Sequence, residues 1–272
     1  MLNEHRKPRL RLPKSRQRVV VWITKQALFR LGIVFCLLAL IATVFLSEIP
    51  SSRTWTHWTL PLSGKVIALD AGHGGADGGA VSREGVIEKD LNLAIVLYLR
   101  DYLQQAGALV LLTREGDYDL ARPETKSYSR RKTEDLLRRA DEVSQKQADL
   151  TVSIHMNSIP SPRWSGAQTF YSASNAEGKR LAADIQTELR SMLGNTQRIA
   201  KQADTVYLLK TLKMPTALVE VGFLSHPEEA HLLADEEYQR KVAASIYRGI
   251  LKFASGTPES SVQSGDSAKP VL

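Results

Sequence analysis

The stretch KVIALDAGHGGADGGA, residues 65–80, joins an apolar strand pattern to a glycine-rich loop that carries one histidine. The apolar run predicts a buried strand. A dinucleotide-binding loop needs glycines at three fixed positions; Gly72 and Gly74 fit the first two, but Asp77 stands at the third. The lysine and hydroxyl of a phosphate-binding loop are missing as well. The loop therefore leaves two interpretations for His73, a metal ligand or a histidine in a tight turn.

Beyond this stretch, short β-branched runs alternate with helical patterns. The predicted strands cover residues 65–70, 108–114, 150–155, 166–171, 205–209 and 216–221. The predicted helices cover residues 91–103, 134–147, 177–193 and 238–250. Strands that alternate with helices are typical of an α/β domain. We therefore expect a single domain over residues 65–254, with a mixed sheet of about six strands flanked by helices.

The positive charge of the chain is confined to its N-terminus. The formal net charge is +7, and residues 1–30 alone contribute +8, from nine Lys or Arg and one acid. The remaining 31–272 then carry a net charge of −1, which argues against binding to nucleic acid. The apolar run LGIVFCLLALIATVFL, residues 31–46, contains no charge. Together with the less apolar residues 27–30 before it, this run approaches the roughly 20 residues that span a bilayer.

This terminal pattern predicts attachment to the cell membrane. Basic residues on one side predict a cytoplasmic tail at 1–30, a single transmembrane anchor at 31–46 and a domain on the outer face. A cleaved signal peptide, which would give a secreted protein, and a buried core helix are the alternatives, although FLSEIPSS is a poor cleavage site. Residues 47–64 are expected to form a tether, and residues 255–272 a disordered tail.

Three polar side chains outside the glycine loop help to choose between its interpretations. His155 ends a predicted strand, Glu88 lies at a helix start, and Glu220 interrupts an apolar strand. An unpaired carboxylate inside such a strand costs several kcal/mol. Ligands gather at the carboxyl ends of strands in open α/β sheets, so these residues and His73 can converge. Because Cys36, the only cysteine, lies in the apolar run, a metal in the domain must be held by histidines and carboxylates.

Two imidazoles and a carboxylate are the ligand set of a hydrolytic zinc site, with a position left open for water. Two of these residues also have a purely structural interpretation. Glu88 could serve merely to complement a helix dipole, and His155 could be a hydrogen-bonded core histidine. Glu220 is harder to explain in that way. His226 and His231 would lie about 140° apart around a helix, so surface positions are expected for both.

Several motifs stand in a fixed order between residues 65 and 253: LDAGHGGADGGA, EKDLNLA, LTR, ADLTVSIHMNS and LVEVGFLSHPEEA. Together they resemble the zinc-dependent N-acetylmuramoyl-L-alanine amidases that cleave peptidoglycan, the amidase_3 type. AGHGGADGGA and YQRKVAASIYRGI are most similar to the membrane-anchored, germination-specific amidases of endospore formers, the CwlD type. The sequence departs from the family pattern at Met156, where a small residue is usual, and at His226, where asparagine is usual.

The resemblance implies a six-stranded sheet with surrounding helices and a role for each site residue. It implies a Zn²⁺ site with the ligands His73, Glu88 and His155. It further implies that Glu220 is catalytic, accepting the proton of the attacking water and passing it to the departing amine. Asn157 and Arg139 are candidates for orienting the substrate or supporting the ligands from behind.

The reaction implied is hydrolysis of the amide bond between N-acetylmuramic acid and L-alanine in peptidoglycan. The same resemblance implies a role in spore-cortex maturation, where muramic δ-lactam is formed for germination. The alternatives are a vegetative cell-wall amidase of the same chemistry, a non-catalytic peptidoglycan-binding protein, and another zinc hydrolase such as a polysaccharide deacetylase. The Asp-rich metal motif of the deacetylases is not found in the sequence. The expected partners are peptidoglycan and the cell membrane; the sequence identifies no accessory protein.

Overall fold

The computed structural model describes residues 24–46 and 60–256. Most of the predicted basic tail, residues 47–59 of the tether, and residues 257–272 of the predicted disordered tail lie outside the described residues. The chain divides into two units, Met1–Trp58 and Thr59–Leu272.

The described part of the first unit is one helix, α1 (Lys25–Leu46). It begins before the apolar run because the flanking residues KQALFR are good helix formers. The segment Lys25–Thr43 is long and apolar enough to cross a membrane, and none of it is buried. A membrane anchor and a signal segment both pass the same test.

The second unit contains a mixed six-stranded sheet with helices on both faces, as the sequence predicts. Its elements in chain order are β1 (Val66–Ala71), α2 (Glu88–Gln105), β2 (Leu109–Leu112), α3 (Tyr128–Gln145), β3 (Leu150–Asn157), β4 (Gln168–Tyr171), α4 (Ala176–Leu193), β5 (Lys201–Gln202), α5 (Tyr207–Thr211), β6 (Thr216–Phe223), α6 (Pro227–Ala234) and α7 (Glu236–Ala254). The strand order is β2-β1-β3-β6-β4-β5. Neighbouring strands are parallel except β4 and β6, which are antiparallel.

The two faces of the sheet bury different amounts of apolar surface. Helices α2, α4 and α7 cover one face, where the larger core cluster includes Ile95, Val152 and Ile246. The smaller cluster joins Ala68 of β1 to residues of α3 and α5, among them Val143. Because successive strand residues point to opposite faces, β1 contributes to both clusters. The central strands are therefore buried on both sides, which explains their continuous apolar pattern.

The predicted strand at 205–209 is wrong. The structure places the short helix α5 (Tyr207–Thr211) there, and the edge strand is β5 (Lys201–Gln202) instead. Leu208 and Leu209 are buried, and Leu208 packs in the smaller cluster. A short apolar run does not distinguish a buried strand from a buried helix turn, so the pattern alone gave the wrong element.

The folded unit also begins before the predicted end of the tether. Leu62 is fully buried in the larger core cluster, and its backbone N–H donates to the Ala106 carbonyl at 2.9 Å. Residues 60–64, expected to lie in the tether, are therefore part of the packed domain. The single apolar position at Leu62 is too weak a pattern to reveal this from sequence.

Candidate metal centre

His73, Glu88 and His155 come together at the carboxyl-end edge of the sheet. One ligand atom from each residue lies within 4.8 Å of the others. His73 Nε2 and His155 Nδ1 are each 3.1 Å from Glu88 Oε1. The two imidazole rings meet edge to face, with their centroids 5.0 Å apart. This donor set, two imidazole nitrogens and a carboxylate oxygen, fits a zinc ion.

Three different elements supply these side chains. His73 lies in the loop after β1, Glu88 is the first residue of α2, and His155 lies near the end of β3. β1 and β3 are adjacent and parallel, with Ala71 opposite Ile154, so the two histidines leave the sheet at the same edge. His73 has a φ of 63°, a left-handed conformation that is uncommon outside glycine.

Two glycines of the loop make room for the other ligands. A Cβ atom on Gly72 would collide with the imidazole ring of His155. A Cβ atom on Gly79 would lie 2.6 Å from Glu88 Oε2, and Gly79 also has a φ of 70°. The glycine-rich loop is therefore explained by close approach to the cluster and not by phosphate binding.

Glu88 is held as a carboxylate by backbone and imidazole groups. Its Oε2 accepts the N–H of Ala80 at 2.8 Å, and its Oε1 accepts the N–H of Met156 at 3.0 Å. Burial alone would raise the pKa of Glu88, but hydrogen bonds and charge from His155 and His73 outweigh it and lower that pKa. The ionised form is the one that binds a metal.

Asp77 is a site residue that the sequence analysis missed. Its Oδ2 lies 2.9 Å from His73 Nδ1 and 3.0 Å from Lys132 Nζ, and its Oδ1 accepts the Tyr128 hydroxyl at 3.0 Å. Nε2 of His73 is the nitrogen that faces Glu88, whereas Nδ1 lies beside the Asp77 carboxylate at ion-pair distance. A carboxylate behind an imidazole ligand is a common arrangement in metal sites. Its sequence signal is a carboxylate four residues after the histidine in the same loop.

Glu220 lies on β6, directly opposite His155 on β3. Its Oε2 atom is buried and has no hydrogen-bond partner among the described residues. Burial raises the pKa of Glu220 to about 7; His155 and His73 oppose this shift, whereas the charge of Glu88 adds to it. A carboxyl group with a pKa near neutrality suits proton transfer in both directions.

The two remaining predicted site residues are Arg139, which contacts the backbone of His73, and Asn157, which ends β3. Arg139 is buried, and its Nη2 donates to the His73 carbonyl at 2.6 Å while its Nη1 donates to Asp70 Oδ1 at 2.8 Å. Of its two predicted roles, support of a ligand from behind is the one that this position fits. Asn157 is the half-buried last residue of β3, and its carbonyl accepts the Leu224 N–H at 2.9 Å. A substrate contact by Asn157 stays a prediction.

The other two histidines of the domain lie outside the cluster. His226 is half-buried at the N-terminus of α6, where its Nδ1 accepts the N–H of Glu229 at 3.2 Å. His231 is exposed within α6. His226 is therefore a helix cap, and the expectation that it lies at the surface holds only in part.

The chain belongs to the amidase_3 family, because residues 67–252 match the family model described as N-acetylmuramoyl-L-alanine amidase. It is therefore an enzyme that hydrolyses the amide bond between N-acetylmuramic acid and L-alanine. The sequence prediction of family and fold class is confirmed.

Within the family, the chain is similar to several individual amidases. The chain is 52% identical to the germination-specific N-acetylmuramoyl-L-alanine amidase of Bacillus subtilis (strain 168), covering 77% of this chain and 88% of that protein. Its fold is similar to the CwlD amidase of Clostridioides difficile, solved in complex with the GerS lipoprotein, with a TM-score of 0.68, 43% identity, and coverage of 70% of this chain and 98% of that one. Amidase AmiC2 of Nostoc punctiforme gives a TM-score of 0.62 at 31% identity, covering 71% and 99%.

Proposed function

We propose that this amidase is zinc-dependent and that His73, Glu88 and His155 hold the ion. The observation that carries the proposal is the convergence of three ligand atoms within 4.8 Å, supplied by three separate segments. Zn²⁺ bound there would supply Lewis acidity, polarising the substrate carbonyl and lowering the pKa of water toward about 7. Asp77 and Arg139 would hold His73 from its ring nitrogen and its carbonyl, respectively.

Glu220 is the proposed proton-transfer residue. Its half-buried side chain is opposite His155 of the cluster, and its Oε2 atom is buried without a hydrogen bond to the described residues. As a carboxylate it accepts a proton from the water that attacks the carbonyl carbon. It then donates that proton to the nitrogen of L-alanine as the C–N bond breaks, which returns Glu220 to its starting state. The products are a lactyl carboxylic acid on the sugar and a free peptide amine.

The division of roles between Glu220 and the ligands predicts two different defects. In the detergent-solubilised full chain, Glu220→Ala should retain bound zinc and lose at least about 100-fold in turnover, because only proton transfer is removed. His155→Ala should lose the metal itself. Zinc content by atomic spectroscopy and release of free stem peptide from purified muropeptides are the two measurements.

His231→Ala, at an exposed position of α6, is the matched control and should behave as wild type. Equal loss of zinc in Glu220→Ala and His155→Ala would contradict the assigned roles. Release of acetate in place of stem peptide would instead indicate a deacetylase.

We further propose that the enzyme acts in maturation of the spore cortex, where removal of the stem peptide precedes formation of muramic δ-lactam. The similarity that supports this role is the 52% identity to the germination-specific relative over 88% of its length. A relative whose name carries no germination role, amidase LytC of Bacillus subtilis, is 35% identical over only 36% of that protein, so the alternative of a vegetative wall amidase has less support. A non-catalytic binding protein is disfavoured because both the ligands and Glu220 are present and lie together.

The cortex role predicts a specific chemical change in spores. Spores that lack this protein should contain no muramic δ-lactam, since its formation requires a muramic acid freed of peptide, and they should fail to complete germination. Chromatography of digested cortex checks the prediction, with a strain that carries the wild-type gene restored as the control. A normal δ-lactam content would favour the vegetative role.

A further inference from the structure

A row of polar side chains crosses the sheet beyond the metal centre. His155 on β3 is opposite Glu220 on β6, and Glu220 is opposite Gln168 on β4. Directly opposite residues point to the same face of a sheet, so Gln168 lies beside Glu220 on the side away from the metal ligands. The Gln168 Nε2 donates to the carbonyl of Ile199 at 3.1 Å, and its Oε1 accepts from Arg198 Nη1 at 3.4 Å.

Arg198 is fixed in place by uncharged groups. Its Nη2 donates to the Ser165 carbonyl at 3.2 Å. Its guanidinium carbon lies 5.3 Å from the centroid of the Phe223 ring and 5.6 Å from that of Trp164. Among residues 60–256 no carboxylate lies within ion-pair distance of Arg198. An arginine held in this way is a pre-organised cation for a ligand.

The surroundings of this arginine are open to solvent. Trp164 is 47% exposed and Ile199 is 70% exposed, although both are large and apolar. We call Trp164, Gln168, Arg198, Ile199 and Phe223 together the Arg198 patch. Glu229, whose charge also reaches Arg198, is buried and occupied by the backbone N–H groups of Gly166 and Phe223. It does not occupy the exposed side of the patch.

We propose that the Arg198 patch binds the carboxylate of the acidic residue that follows L-alanine in the stem peptide. This inference rests on the proposed role of Glu220, which fixes where the scissile bond lies. Arg198 lies in the loop that leads into β5, about two strand spacings from Glu220, roughly 10 Å at about 4.8 Å per spacing. An extended dipeptide spans about 7 Å, and the arginine side chain covers the remainder. The guanidinium fork matches a carboxylate, and Trp164 covers the peptide backbone.

The test uses two substrates whose γ-carboxyl group is amidated and that differ only in the α-carboxyl group: N-acetylmuramoyl-L-alanyl-D-glutamine, the acid, and its α-amide, N-acetylmuramoyl-L-alanyl-D-glutaminamide. With the full-length enzyme we expect kcat/KM to be about 10-fold to 100-fold higher for the acid, as expected for a hydrogen bond to a charged group. Arg198→Gln should abolish this preference, mainly through KM for the acid. Arg198→Lys should retain part of it because the charge remains.

Arg163→Gln is the matched control, because it removes the same charge from an exposed position of the loop that carries Trp164. Thermal unfolding of each variant checks that the fold is intact. An unchanged preference in Arg198→Gln, or an equal loss in Arg163→Gln, would overturn the proposed subsite.

A second measurement separates this proposal from that of the catalytic function. Binding of the free dipeptides L-alanyl-D-glutamine, the acid, and L-alanyl-D-glutaminamide, its α-amide, is followed by calorimetry, which needs no turnover. If the wild type binds the acid more tightly and Arg198→Gln loses this preference, the subsite is supported, even when neither muramoyl substrate is cleaved. A lack of cleavage would count against the proposed catalytic site alone. Equal binding of both dipeptides to the wild type would reject the subsite.

Discussion

His73 depends on two neighbours that hold it from opposite ends. Asp77 lies 2.9 Å from its Nδ1, and Arg139 donates to its carbonyl at 2.6 Å. The left-handed backbone of His73, with a φ of 63°, is strained for a residue with a side chain. The Arg139 hydrogen bond holds the carbonyl of His73, and the Asp77 carboxylate lies beside Nδ1, so that Nε2 is the nitrogen that faces the metal centre. The backbone and the ring of His73 are therefore each constrained by a neighbour.

Asp77→Asn should weaken zinc binding without removing a ligand. The amide cannot stabilise the imidazole as a carboxylate does, so we expect zinc affinity to fall by about 10-fold to 100-fold. Competition with a chromophoric chelator measures the dissociation constant of zinc directly. Asp141→Asn, which removes the same charge from an exposed position of α3, is the control. Zinc affinity equal to that of the wild type would show that Asp77 does not position His73.

At the scale of elements, a buried arginine ties the end of β1 to the start of α2. Arg114 donates to the carbonyls of Ala71 at 2.9 Å, Gly72 at 3.0 Å and Lys89 at 2.7 Å, and it is only 1% exposed. Gly72 precedes one proposed ligand and Lys89 follows another. The loop and the helix therefore keep their spacing through one guanidinium.

A second buried charge makes the fold sensitive to acid. Asp70 accepts hydrogen bonds from Arg139, Thr113 and Ser153. Burial acts to raise the pKa of Asp70, but the charge of Arg139 and the hydrogen bonds outweigh it and lower that pKa to about 2 from 3.8. A carboxyl group whose pKa is lower in the folded state stabilises the fold fully above its unfolded pKa. That contribution is lost as the pH falls from about 4 to about 2.

The expected loss of unfolding free energy over this range is about 2 kcal/mol from Asp70 alone. Urea unfolding of the zinc-free full chain, with a chelator present, measures it between pH 5 and pH 2. Asp70→Asn should be less stable at pH 7, since Arg139 loses one of its two buried carboxylate partners and keeps only Asp135, and its stability should depend less on pH in the acid range. The same acid dependence in both proteins would show that Asp70 is not responsible.

Elements that leave a local sequence pattern were predictable, whereas elements and roles that depend on contacts between distant residues were not. The strands that carry His155 and Glu220 were predictable because continuous burial leaves a continuous apolar pattern. The helix α5 was not, since packing against α3 decides between helix and strand. Asp77 and Arg198 were missed because their roles depend on contacts with residues distant in sequence, such as Lys132 and Trp164.

Across the whole molecule, charge and apolar residues are unevenly distributed. Residues 1–30 carry +8, whereas 31–272 carry a net charge of −1. A basic segment before an apolar helix is the pattern of a single-pass anchor with a cytoplasmic N-terminus. We propose this topology, with the amidase domain on the outer face of the cell membrane, where its peptidoglycan substrate lies.

The anchor proposal predicts the behaviour of the protein on fractionation. The intact chain should sediment with membranes, resist washing with 1 M salt and dissolve in detergent, because its attachment is through an apolar helix. Immunoblotting of each fraction and N-terminal sequencing are the measurements. A soluble protein that begins after residue 46 would identify the segment as a cleaved signal peptide.

The alignment of β6 with β3 sets a limit on how this enzyme tolerates changes in length. His155 and Glu220 are paired across the two strands, and immediately afterwards the pairing shifts, so that Asn157 lies opposite Phe223. Inserting or deleting one residue before Glu220 in β6 would turn its carboxyl group to the opposite face of the sheet. Extra residues in a surface loop leave that orientation intact. Engineering that alters specificity therefore belongs in the loops around the edge, while the length of this strand must be left unchanged.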